Sequence, residues 1–173
     1  MFLYHFSEEP DIQIFHPRKV KHQEHIPPFV WAIDDEHAVN YFFPRECPRI
    51  IFRKSANMSK EDECRFFKDT AADTIIAVEN DWTAKILNTE LYKYTFRSDN
   101  FELYDKTAGY YTSRAAVEPI KIEPLGNLLQ AIVNRGVELR FTPNLYPLKE
   151  AILQSTIDDF SMIRLRNAKK FSK

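Results

Sequence analysis

The chain predicts an α+β domain built on a strongly bent, mixed or antiparallel sheet with flanking helices. Short apolar and aromatic runs outnumber stretches of helical period, and they come in series instead of alternating regularly with helices. Turn residues punctuate them, ten prolines among these. With 173 residues, 44% hydrophobic and 28% charged, there is enough apolar surface for a real core, and residues 1–173 are read as a single domain.

Residues 2–6 are aromatic-rich and free of breakers, a short strand that ends at Ser7, Glu8, Glu9 and Pro10. From 11 to 28 the chain is polar and broken by Pro17, Pro27 and Pro28, an ordered loop anchored by Ile12, Ile14 and Phe15. Residues 29–33 make a second strand. Asp34 suits an N-cap, with Asp35 and Glu36 where carboxylates complement the helix dipole. Ala38, Tyr41 and Phe42 then share one helical face, and Pro44 stops the helix. Residues 49–53 hold Ile50, Ile51 and Phe52 in a row, the pattern of a central strand covered on both faces.

Ser59 caps a helix over 59–68 that turns Cys64 and Phe67 inward, and 74–79 is a strand. A short helix over 82–87 leads to an aromatic strand at 91–96. Strands at 101–104 and 110–113 flank Gly109 at a turn or bulge. Pro119 and Pro124 make 117–125 an edge strand or loop. Leu128, Leu129, Ile132 and Val133 stripe a helix over 127–135, with Gly136 where a left-handed cap belongs. A strand at 137–141, a turn between Pro143 and Pro147, a helix at 148–153 and an alternating segment at 161–166 complete the chain, and the basic tail 169–173 frays.

Composition removes several functions. A net charge of -1 lacks the cationic excess that general nucleic-acid or anionic-membrane binding requires. No apolar run is long enough to span a bilayer. Cys47 and Cys64 are too few for a disulfide scaffold and no leader pattern opens the chain, so a reduced, cytoplasmic protein is expected. Three scattered glycines cannot form a phosphate loop. Serine, thiol and zinc hydrolase signatures do not occur. His16, His22 and His25 are irregularly spaced with no cysteine or paired carboxylate nearby, so they read as a solvated or rim loop and no metal is predicted.

What remains lies between Phe2 and Tyr41. His5, inside an aromatic strand, can offer one donor and one acceptor to a polar ligand, or be a satisfied core histidine. Trp31 near the end of the second strand and Tyr41 on the following helix could hold a flat ligand between two rings, or both be core. Arg45 with Arg49, and Arg164 with Arg166, could grip phosphates through planar forks or form structural ion pairs.

The order Leu3-Tyr4-His5, a long loop, Phe29-Val30-Trp31-Ala32, then Ala38 and Tyr41 resembles the N-terminal half of the ADP-ribosyltransferase fold, its diphtheria-toxin-like branch in particular. The whole chain also resembles a small bacterial family without an established activity. The likeness to the transferases implies that His5 contacts the nicotinamide-side ribose of NAD, that Trp31 and Tyr41 sandwich the nicotinamide, and that the backbone of Phe6 holds its carboxamide. Where those enzymes carry a glutamate at the start of a later strand, the best match here has Tyr110, followed by Tyr111; Glu118 and Glu102 are the nearest carboxylates. The expectation is therefore a protein that binds NAD or a related small nucleotide, with Arg45 and Arg49 as further cofactor contacts. The implied reaction is transfer of ADP-ribose to a protein or small-molecule acceptor, with His5, Tyr110, Tyr111 and Glu118 as its catalytic set. The alternative is a non-catalytic binding protein on the same scaffold.

Overall fold

A computed structural model describes residues 1–19 and 25–170. His22 and the end of the basic tail lie outside these. The α+β class holds. The strands are β1 (Phe2–Ser7), β2 (Val30–Ile33), β3 (Arg49–Arg53), β4 (Thr74–Glu79), β5 (Tyr92–Arg97), β6 (Glu102–Asp105), β7 (Tyr110–Ser113), β8 (Lys121–Pro124), β9 (Glu138–Thr142) and β10 (Phe160–Ile163). The helices are α1 (Lys60–Phe67), α2 (Thr83–Asn88), α3 (Leu128–Val133) and α4 (Tyr146–Leu153).

Two sheets take the place of one bent sheet, and the chain divides into two compact units, Met1–Phe42 with Glu90–Gly126 and Phe43–Thr89 with Asn127–Lys173. In the first unit six antiparallel strands run in the order β6-β7-β2-β1-β5-β8. One face of this sheet builds a core from Leu3, Val30, Ala32, Tyr94 and Phe96. Phe15 seals it from the loop, its backbone bridging Val117. Burying each of these larger side chains contributes roughly 1.5–3 kcal/mol. Tyr94 ties the loop down with its hydroxyl, which donates to the Glu9 carbonyl and accepts from the Ile12 amide at 3.2 Å.

In the second unit the order is β10-β3-β4-β9, with β4 and β9 parallel and the other pairs antiparallel. The apolar run at Ile50, Ile51 and Phe52 is indeed an interior strand, and β4 beside it is as fully buried. Ser59 caps α1, its hydroxyl accepting from the Asp62 amide at 3.1 Å. Asn127 caps α3 by accepting from Gln130 at 3.0 Å, and Gly136 follows that helix with a left-handed φ of 72°.

Two elements differ from expectation. The helix after Asp34 is a single 3₁₀ turn, Ala38–Tyr41, with residues 35–37 in a turn before it and Pro44 closing it off. The alternation at 161–166 stops at Arg164, whose φ of 55° breaks the strand, and Leu165–Asn167 coils into a 3₁₀ turn.

Asp62 fastens α1 to the segment after α4: its carboxylate accepts from the Thr156 hydroxyl and amide, both at 2.7 Å. These bonds, the hydroxyl first, hold its pKa below the ordinary carboxyl range. A depressed folded-state pKa adds stability above the unfolded value that is lost as pH falls through the folded one. Urea unfolding measured from neutral pH down to about pH 2 should therefore show a loss beginning at about pH 4 that Asp62→Asn makes shallower.

Candidate functional site

Side chains alternate along a strand, and directly paired residues share a face. The register of the first unit thereby sorts the candidate residues. Tyr4 lies opposite Ile33, Ile33 opposite Tyr110, and Trp31 opposite Thr112, which puts Phe6, Trp31 and Tyr110 on one face. His5, opposite buried Tyr94, and Tyr111, opposite Ala32, fall on the other. The His5 ring meets Phe15 edge-on at 4.9 Å, and its Nδ1 donates to the Trp31 carbonyl at 3.0 Å. That proton assignment follows from the carbonyl being an acceptor only. The imidazole thus braces the strand that carries Trp31 from the side away from its indole.

On the opposite face the rings gather. Trp31 lies 4.8 Å from Tyr104, 5.8 Å from Tyr110 and 5.9 Å from Phe29, all edge to face. Tyr41 comes over from the 3₁₀ turn, and its hydroxyl is 2.6 Å from that of Tyr110. Phe42 packs on Phe6 at 5.1 Å. Trp31, Tyr41, Tyr110 and Phe6 are thus on one face, and His5 and Tyr111, expected beside them, are on its reverse. Within this cluster the indole Nε1–H of Trp31 is buried with no hydrogen-bond partner among the described residues. Leaving such a donor unmet costs about 1–3 kcal/mol.

Further polar residues lie on this face, and Arg114 among them escaped the sequence reading. Arg114 extends the period-two series Tyr110, Thr112 and lays its guanidinium 5.1 Å from the centre of the Phe29 ring. Glu102 pairs with Thr112 on the exposed edge strand β6. The same strand sets Asp105 opposite Tyr110, so two carboxylates border the aromatic cluster by strand pairing. Glu118 is exposed and follows Val117, a residue of the core on the reverse face.

A second constellation sits where β2 ends. Asp34 Oδ1 accepts from both the backbone N–H and the ring Nδ1 of His37, at 2.9 Å and 2.8 Å. The Asp34 amide in turn donates to the Gly109 carbonyl at 3.0 Å. His37 is 6% exposed, and its Nε2 makes no hydrogen bond to another described residue. Gly109 has φ 69°, and a Cβ there would lie 2.3 Å from His37 Nδ1, so only glycine lets β7 begin this close to the pair. Gly109→Ala combines a disfavoured backbone conformation with that clash, and its urea midpoint should report a loss of more than about 1 kcal/mol.

The remaining candidates belong to the second unit. Arg49 is 2% exposed; its guanidinium donates to the Cys47 carbonyl at 2.8 Å and lies over the Phe43 ring at 5.2 Å. Arg45 is exposed, and its carbonyl accepts from Arg164 Nε at 3.3 Å. Arg164 and Arg166 both face Glu46. No group of three or more potential metal-ligating side chains occurs among the described residues, and of the loop histidines His16 and His25 are exposed. No helix among the described residues is long and apolar enough to cross a membrane.

Both cysteines are thiols, Cys47 buried and Cys64 exposed instead of turned inward with Phe67, because Phe66 and Phe67 form the buried face of α1. Burial pushes the Cys47 pKa up to about 12, which leaves it protonated and unreactive at neutral pH. A thiol reagent should therefore titrate Cys64 rapidly in the folded protein and reach Cys47 only after denaturation.

No curated protein and no solved structure matches the chain. Residues 4–168 match a family model, and the chain belongs to that family of unknown function, DUF6886.

Proposed function

We propose that the first unit binds the planar ring of a small nucleotide, NAD foremost, on the face formed by Trp31, Tyr41, Tyr104 and Tyr110. The Nε1–H of Trp31, buried and without a hydrogen-bond partner among the described residues, carries this reading: a ring carbonyl or carboxamide oxygen would complete it, while the neighbouring aromatics supply stacking surface. Arg114, on the same face, offers the planar fork that phosphates accept. ADP-ribose transfer to a protein or small-molecule acceptor, in a cytoplasmic setting, is the activity this reading extends to. Glu102, opposite Thr112, and Asp105, opposite Tyr110, are the carboxylates of β6 beside that face.

The second reading is a non-catalytic binding protein on the same scaffold. It is favoured by His5 lying on the reverse face and by Tyr110 standing where the resemblance asks for a glutamate.

Fluorescence separates ligand binding from its absence. Trp31 and Trp82 are the two tryptophans of the chain, so a Trp82→Phe background isolates the signal. NAD should quench it saturably, and Arg114→Ala should weaken the apparent affinity about tenfold. An unquenched signal at millimolar NAD would rule the nucleotide reading out.

A further inference from the structure

We propose that Asp34 and His37 form a general-base pair for the Trp31 face, with His37 Nε2 taking the proton from the water or acceptor hydroxyl that attacks the bound nucleotide's ribose. The inference rests on the nucleotide reading above and names the group that would turn binding into chemistry.

Three observations support it. The first is the state of the imidazole: Nδ1 donates to the Asp34 carboxylate, so in the neutral ring the lone pair sits on Nε2. His37 is 6% exposed, yet its Nε2 is not among the sealed polar atoms and makes no hydrogen bond to another described residue, so its lone pair is available to a proton donor from outside the ring's own partners. The second is preorganisation. Asp34 is held by the Gly109 carbonyl and clasps both the amide and the ring of His37, more than a simple turn requires. A base whose partner is itself oriented in this way is the general design of an activated nucleophile. Its imidazolium, once formed, would be stabilised by the carboxylate beside it. The third is placement. The segment carrying His37 turns over the aromatic face, where Tyr41 meets the Tyr110 hydroxyl and Phe42 packs on Phe6. Gly109, whose missing Cβ admits the His37 ring, directly precedes Tyr110.

The step balances without an oxidant. The O–H proton of water or of the acceptor moves to Nε2, and the oxygen's electron pair forms the bond to the ribose anomeric carbon. The carbon–nitrogen bond to nicotinamide breaks with its electrons returning to the pyridinium nitrogen, so nicotinamide leaves neutral. The positive charge lost from the ring is the one gained by the imidazole. The product is ADP-ribose on water or on the acceptor hydroxyl.

Nicotinamide release from NAD by the full chain, followed beside the Trp31 titration, tests the step. The wild type should release nicotinamide. His37→Ala should lower the rate about a hundredfold or more, with added imidazole restoring part of it. Asp34→Asn should lower kcat while leaving the quenching curve in place. Quenching without nicotinamide release in the wild type overturns this inference and leaves the binding reading standing; the absence of both overturns both. An unreduced rate in His37→Ala, or a reduced rate that imidazole does not restore, also overturns it. If circular dichroism shows that His37→Ala does not fold, His37→Gln is judged by the same rate, and release at the wild-type rate overturns the proposal.

Discussion

Antiparallel pairing between β2 and β7 decides which side chains of the first unit can meet one ligand. With Trp31 opposite Thr112 and Ile33 opposite Tyr110, the indole and the phenol are two neighbours on one surface, and a slip of one residue would turn both into the Leu3 and Phe96 core. The same register carries Gly109 to the end of β2, where its carbonyl meets the Asp34 amide, and so brings His37 close to the start of β7. His5 contributes from behind by holding the Trp31 carbonyl, a side chain serving a strand's backbone. Its value to the site is mechanical: it helps fix the strand from which Trp31 projects.

The second unit follows a different logic. Its sheet is apolar through β3 and β4, yet polar groups are sealed at the strand ends, each with partners. Glu79, 1% exposed, accepts from the Leu145 amide at 3.2 Å and the Lys169 amide at 3.1 Å, drawing the starts of two later segments to the end of β4. Arg49 and Cys47 share a similarly closed setting. Arginines that look, by spacing alone, suited to phosphates are here divided between interior support and a surface cluster around Glu46.

Much of the fold could be read from pattern because it follows local rules. Ile50 to Phe52 announced an interior strand, Asn127 and Gly136 bracketed α3, and Pro119 and Pro124 marked an edge. The site was harder to read because it depends on register. Whether His5 and Trp31 face the same way is set by the pairing of Tyr4 with Ile33, which no local propensity records. Arg114 could have been found by carrying the alternation of Tyr110 and Thr112 one step further. Asp34 and His37, three apart, matched a capping signal, and the additional ring contact needs the tertiary approach of Gly109 to become visible. The division into two units was illegible because both change partner in mid-chain without a linker-like stretch to mark the boundary.

That interleaving bears on synthesis. β1 pairs along its length with β5, and β8, the last strand of the same sheet, ends at Pro124. A nascent chain that has exposed Leu3 and the aromatic strand around it must therefore wait until Pro124 has emerged before its sheet is complete, with strands of the other unit appearing in the meantime. Such distant pairing slows folding and prolongs exposure of strand edges to other chains. Neither unit can be obtained by trimming the protein from its ends, since every continuous fragment that contains one whole unit also contains part of the other.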